Sequence, residues 1–174
     1  MPKIVLIDDD LATEILAEGL EFYGYEANRI SSYQTAIDSL ETILTADLVI
    51  LDIIMERPKS DERSSVSGDR TTGMSLLRAI REKDDKIPVI VLSATSDRDV
   101  IDAVRQTPNT VFISKWNVPR LVELVRMIQQ AIGGPSKNLK PRAFIVHGHD
   151  TTEKLALKKA HQEIEWMNLM ENVA

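Results

Sequence analysis

The chain has 174 residues, 43% hydrophobic and 28% charged, with a net charge of −6 and no cysteine. That length holds one full domain with a remainder too small for an ordinary second one. The acidic balance, without a basic patch, argues against direct DNA binding, and the lack of cysteine excludes disulfides and thiolate metal sites, as suits a reducing cytoplasm.

No run of about 18 apolar residues is long enough for a membrane span, and MPKIVLID lacks a secretory leader pattern. A cytoplasmic protein without membrane attachment is expected. Along the chain, apolar runs of strand length alternate with stretches of helical period. The first strand is predicted over 3–8 (KIVLID), followed by a helix over 11–23 with Leu11, Ile15, Leu16, Leu20 and Tyr23 near one face. Next come a strand over 25–30, a helix over 33–45 and a strand over 47–52 (DLVILD). The stretch 56–72, ERPKSDERSSVSGDRTT, breaks the rhythm as a polar insertion unusually long for a compact domain. A helix over 73–83 and a strand over 87–94 follow. SDRDVIDAVRQ then opens a helix with Ser96 and Asp99 at capping-box spacing. A strand over 110–115 and a helix over 118–132, with Pro119 in its first turn, complete the series. Most strands are continuous apolar runs, as in sheets covered on both faces. The expected fold is α/β, a doubly wound five-stranded parallel sheet over residues 1–133. A linker is expected at 134–142, and 143–174 adds one strand and one amphipathic helix.

In such sheets, ligands bind at the carboxyl ends of the strands, where strand order reverses. Three of those ends carry matching chemistry here: Asp8 and Asp9 on the first, Asp52 on the third and Lys115 on the fifth, with Ser93 on the fourth. Carboxylates crowded in this way repel unless a cation lies between them. Oxygen-only donors suit Mg²⁺, held by Asp8 and Asp9. Asp52 is then the nucleophile that attacks phosphorus to form an aspartyl phosphate. Lys115 and the Ser93 hydroxyl would stabilise the transferring oxygens. Asp10 stands where the first helix begins and is assigned as its N-cap.

LIDDD, VILD, VLSA and FISK, in this order and spacing, resemble the receiver domain of bacterial two-component response regulators over residues 2–133. The resemblance implies a flavodoxin-like receiver fold, in which Asp52 accepts a phosphoryl group from a histidine kinase or phosphotransfer protein. It implies that Asp8, Asp9, Asp52 and the backbone carbonyl of Ile54 hold Mg²⁺, and that Ser93 and Phe112 form a switch pair, with Ala94 the small residue beside the phosphate. The module would catalyse only its own phosphorylation and dephosphorylation and alter a surface read by an output partner, with a homodimer among the expected assemblies. Three departures stand out: the long insertion, Phe112 where the family often has tyrosine, and Trp116 where it normally has proline. A trans Lys115–Trp116 bond is expected, because a cis bond before a non-proline residue costs about 2.5–4 kcal/mol.

Two other functions compete. An aspartyl-phosphate phosphatase of the haloacid dehalogenase type usually needs a second acid two residues after the nucleophile, and Ile54 stands there. FIVHGHD, with His147, Gly148, His149 and Asp150, resembles the opening of TIR-like nucleotide-binding domains. One strand and one helix cannot assemble a pocket, so 143–174 is expected to be an orphaned domain start. The receiver would then serve as regulator of a TIR-like nucleotide hydrolase missing from this chain. Such a tail is expected to fold back on the receiver or drive self-association.

Overall fold

A computed structural model describes residues 1–56, 72–117 and 120–132. Nearly all of the insertion, Pro119, the linker and the 143–174 tail lie outside the described residues. The chain divides into two units, Met1–Pro135 and Ser136–Ala174, and every described residue lies in the first.

The elements are β1 (Lys3–Ile7), α1 (Ala12–Phe22), β2 (Glu26–Ile30), α2 (Tyr33–Asp38), α3 (Leu40–Ile43) and β3 (Leu48–Leu51), then α4 (Thr72–Lys83), β4 (Val89–Ser93), α5 (Arg98–Gln106), β5 (Thr110–Ser114) and α6 (Leu121–Ala131). A 3₁₀ turn, Lys115–Asn117, follows β5. The helix expected over 33–45 is divided at Ser39, whose φ of −104° and ψ of 16° leave the helical region. There the ladder tightens, with the Thr42 amide donating to the Ser39 carbonyl three residues back. Serine competes with the backbone for such bonds and is a weak helix former. The cap of α5 is Asp97 rather than Ser96: its carboxylate accepts from the Asp99 and Val100 amides.

All five strands are parallel, in the order β2-β1-β3-β4-β5. The chain leaves β1 first to one side and then to the other, so strand order reverses between β1 and β3. β1, β3 and β4 are buried almost throughout. Alternate residues point to opposite faces. Val5, Ile7, Val49, Leu51, Val89 and Val91 join one core with Ala36, Ile43, Leu77, Ile80 and Val104 from the helices. Ile4, Leu6, Leu48, Ile50, Ile90 and Leu92 are buried on the other face, the side covered by α1 and α6. The amino ends of β4 and β5 are tied by Arg81, which donates to the carbonyls of Asp84, Ile87 and Asn109 and to Thr110 Oγ1. Burial lowers the pKa of this guanidinium, with Asp84 and Asp85 opposing the shift. No helix among the described residues is long and apolar enough to cross a membrane.

Candidate functional site

Strand register assembles the site. Ile7 lies opposite Leu51, so the residues that follow them, Asp8 and Asp52, emerge side by side at the switch point. Ser93 lies opposite Ser114, which brings Lys115 alongside the same edge. The carboxylates of Asp8, Asp9 and Asp52 each place an oxygen within 4.8 Å of the others. Asp8 is 3% exposed and Asp52 4%, so neither charge is well hydrated. The Lys115 ammonium lies 2.8 Å from Asp8 Oδ2 and 2.8 Å from Asp52 Oδ2. Three carboxylates against one ammonium leave two negative charges uncompensated, a deficit that a divalent cation would fill.

Backbone amides aim the remaining oxygens. Asp8 Oδ1 accepts from the Asp10 amide at 2.9 Å, Asp52 Oδ1 from the Ile54 amide at 2.8 Å, and Asp9 Oδ2 from the Glu56 amide at 2.9 Å. Burial pulls the Lys115 pKa down, but hydrogen bonds and charges from Asp52 and Asp8 outweigh it and leave the pKa above its ordinary value. The ammonium is therefore fully present below the ordinary lysine pKa and is lost only as pH rises through the higher value.

Ser93 is fully buried, and its Oγ has no hydrogen-bond partner. A buried hydroxyl without a partner costs about 1–3 kcal/mol. Ser93 closes β4, which pairs with the strand that leads into Asp52, and lies opposite Ser114, the residue before Lys115. Phe112 lies opposite Val91, two residues before the Ser93 pair, half-buried against the core of that face. Ala94 follows Ser93, and its carbonyl accepts from Trp116 Nε1 at 3.2 Å. The Lys115–Trp116 bond is trans. Asp10 caps α1 one step outside the nominal N-cap, Leu11: its Oδ1 accepts from the Ala12 amide. The Arg29 guanidinium steadies the same turn by donating to the Asp10 carbonyl.

Sequence reasoning missed Thr72 and Gly73, which bring the far end of the insertion back to the site. Thr72 Oγ1 donates to the Met55 carbonyl at 3.0 Å, and the Gly73 amide to the Ile53 carbonyl at 2.9 Å. The described ends of the insertion are thus joined directly behind Asp52. The only signal in the sequence is a glycine where apolar periodicity resumes.

Known proteins give a consistent picture. The response regulator receiver domain model matches residues 4–126. The chain is 34% identical over 106 residues to the transcriptional regulatory protein PrrA of Mycobacterium leprae, which covers 56% of this chain and 36% of that protein. It therefore spans about a third of the length of the curated relatives it matches. Among solved structures, a CheY-like receiver domain protein from Methanospirillum hungatei superposes with a TM-score of 0.60 at 18% identity, over 76% of this chain and 94% of that one. A receiver domain protein from Clostridium thermocellum gives 0.58 at 25% identity, over 76% and 95%.

Proposed function

The chain belongs to the response regulator receiver family, a family of signalling modules, and from that premise we propose that Asp52 is its phosphoacceptor. The observation that carries this reading is the grouping around Asp52: a buried carboxylate, 4% exposed, bonded to Lys115, on a strand paired with the one that ends in the unpartnered Ser93 hydroxyl. An Asp52 oxygen would attack the phosphorus of a phosphohistidine on a kinase or phosphotransfer protein. The P–N bond breaks with its electron pair on the imidazole nitrogen, and an acyl phosphate forms. Lys115 moves its hydrogen bond from the carboxylate to a phosphoryl oxygen, and Ser93 Oγ donates to another. Asp8, Asp9, Asp52 and the Ile54 carbonyl would hold Mg²⁺. When bound, Mg²⁺ would neutralise charge on the carboxylates and the incoming phosphoryl group. Ser93 and Phe112 would carry the change to the surface, and slow hydrolysis of the acyl phosphate would reset it.

The phosphatase reading lacks its acid, because Ile54 supplies an amide to Asp52 where a carboxyl is required. A direct check of the phosphoacceptor reading is intact-mass measurement after incubation with acetyl phosphate. One phosphate is expected with Mg²⁺ present and none after chelation. Equal incorporation in both would defeat the metal-assisted mechanism.

The receiver is further proposed to end near residue 133, with 134–142 a linker and 143–174 a TIR-like start or interaction tail that takes no part in phosphorylation. Its strand and helix pattern would support self-association through Leu155, Leu157, Ile164, Trp166, Met167 and Met170. Deleting 135–174 is expected to leave the phosphorylation rate unchanged while lowering the sedimentation coefficient more than the lost mass requires. A large loss of phosphorylation in an otherwise folded receiver would place the tail in the active site.

A further inference from the structure

Lys115 and Ser93 act on the same phosphoryl group in the reading above, yet they are held differently. Ser93 ends β4, where it lies opposite Ser114 within the paired strands. Lys115 stands beyond the last paired residue, in the 3₁₀ turn, so the direction of its stem depends on what holds that turn. Among the described residues, a hydrogen bond links this turn to the segment after β4: Trp116 Nε1 donates to the Ala94 carbonyl at 3.2 Å. The Trp116 amide donates to Ser114 Oγ at 3.3 Å, which closes the turn on its own strand.

Trp116 is 80% exposed. An indole left mostly in water gains little from burial, so packing does not explain its orientation. The N–H is the polar handle that gives this ring a fixed place. We infer that Trp116 is a positioning residue: its indole N–H ties the Lys115 turn to the Ala94 carbonyl, so that the Lys115 ammonium and the Ser93 hydroxyl meet the phosphoryl group in a fixed relation. This inference rests on the phosphoacceptor reading of Asp52. The acceptor carbonyl belongs to the residue after Ser93, so any shift of Ser93 toward a phosphoryl oxygen is felt at the indole.

Trp116→Phe tests the role, because it keeps the aromatic ring and removes only the N–H. At saturating Mg²⁺ and acetyl phosphate, the phosphorylation rate is expected to fall about 3–10-fold, less than the roughly 100-fold that a full 1 Å misplacement of a reacting group costs. The apparent Mg²⁺ affinity should stay unchanged, since the bond does not touch the carboxylates, and the melting temperature should fall by a few degrees at most, the share of one exposed hydrogen bond. A general structural role would weaken Mg²⁺ binding along with the rate and overturn the inference. So would a wild-type rate in Trp116→Phe. The chain has two tryptophans, so Trp166→Phe leaves Trp116 as the sole tryptophan, read by excitation at wavelengths that tyrosine does not absorb. Its emission is expected to shift on phosphorylation, and to stay still when Asp52→Asn is added to that background. An emission unchanged by phosphorylation also overturns the link. If the wild-type chain takes up no phosphate, the reading of Asp52 fails and this inference falls with it. If it takes up phosphate normally and Trp116→Phe matches it, the inference alone fails.

Discussion

Asp52→Asn should take up no phosphate under conditions that load the wild-type chain. The substitution keeps the shape of the side chain and replaces an anionic oxygen with an amide nitrogen, which is not a nucleophile at neutral pH. Asp8 is as buried as Asp52 and is held in the same way, one oxygen by a backbone amide and the other by Lys115, so the mass of the variant, not burial, separates the two. Asp9 is more exposed and is held by Glu56 from the loop after β3. The fold should persist in the variant, because removing one of three crowded carboxylates relieves repulsion while Lys115 keeps its partner at Asp8. The melting temperature of Asp52→Asn is therefore expected to equal or exceed that of the wild type without Mg²⁺. Intact mass gives the first result and calorimetry the second. Phosphate on Asp52→Asn at the wild-type level would assign the acceptor elsewhere.

Much of this site was legible because each chemical residue closes an apolar run. Asp8, Asp52 and Ser93 stand where a buried strand reaches the sheet edge and Lys115 where the partly exposed β5 does, and a parallel doubly wound topology leaves those ends together. Strand bounds were accordingly close, as β1 and β5 ended one residue before the expected limit. Helix ends were less legible. Ser39 divides a stretch whose apolar spacing continues through it, and Ser96 and Asp97 are equally able to cap, so local chemistry left either open. The Ser93 hydroxyl could be named from the sequence, but its lack of a partner could not, since that depends on how β4 and β5 pack. Trp116 was visible as an unusual neighbour of Lys115. Its bond to Ala94 joins residues 22 apart in the chain and belongs to tertiary structure alone.

Gly73 was the least legible of the important residues and should be among the least tolerant. A Cβ placed on it would lie 2.6 Å from Ile53 Cα and 3.0 Å from the carbonyl carbon of Asp52, and would press on the Asp52 carbonyl oxygen. Those atoms are backbone, so they cannot turn aside as a side chain would. The Gly73 amide also donates to the Ile53 carbonyl, which holds α4 against the strand end. Gly73→Ala must therefore push α4 away or displace the peptide that carries Asp52. Misplacement of a reacting group by about 1 Å can cost on the order of 100-fold in rate, and phosphorylation is expected to fall between 10- and 100-fold. Overpacking of this kind costs about 1–3 kcal/mol, so the melting temperature should fall as well. Gly19→Ala in α1 is the matched comparison. Its Cβ would meet only the Leu121 side chain, 2.7 Å from Cδ2, and that terminus can rotate. Replacing glycine by alanine in a helix gains roughly 0.5–1 kcal/mol, which offsets part of the local adjustment. Gly19→Ala should keep its phosphorylation rate. Equal rates in Gly73→Ala and the wild type would mean that α4 moves without carrying Asp52, and that the close approach of the two backbones does not set the acceptor's position.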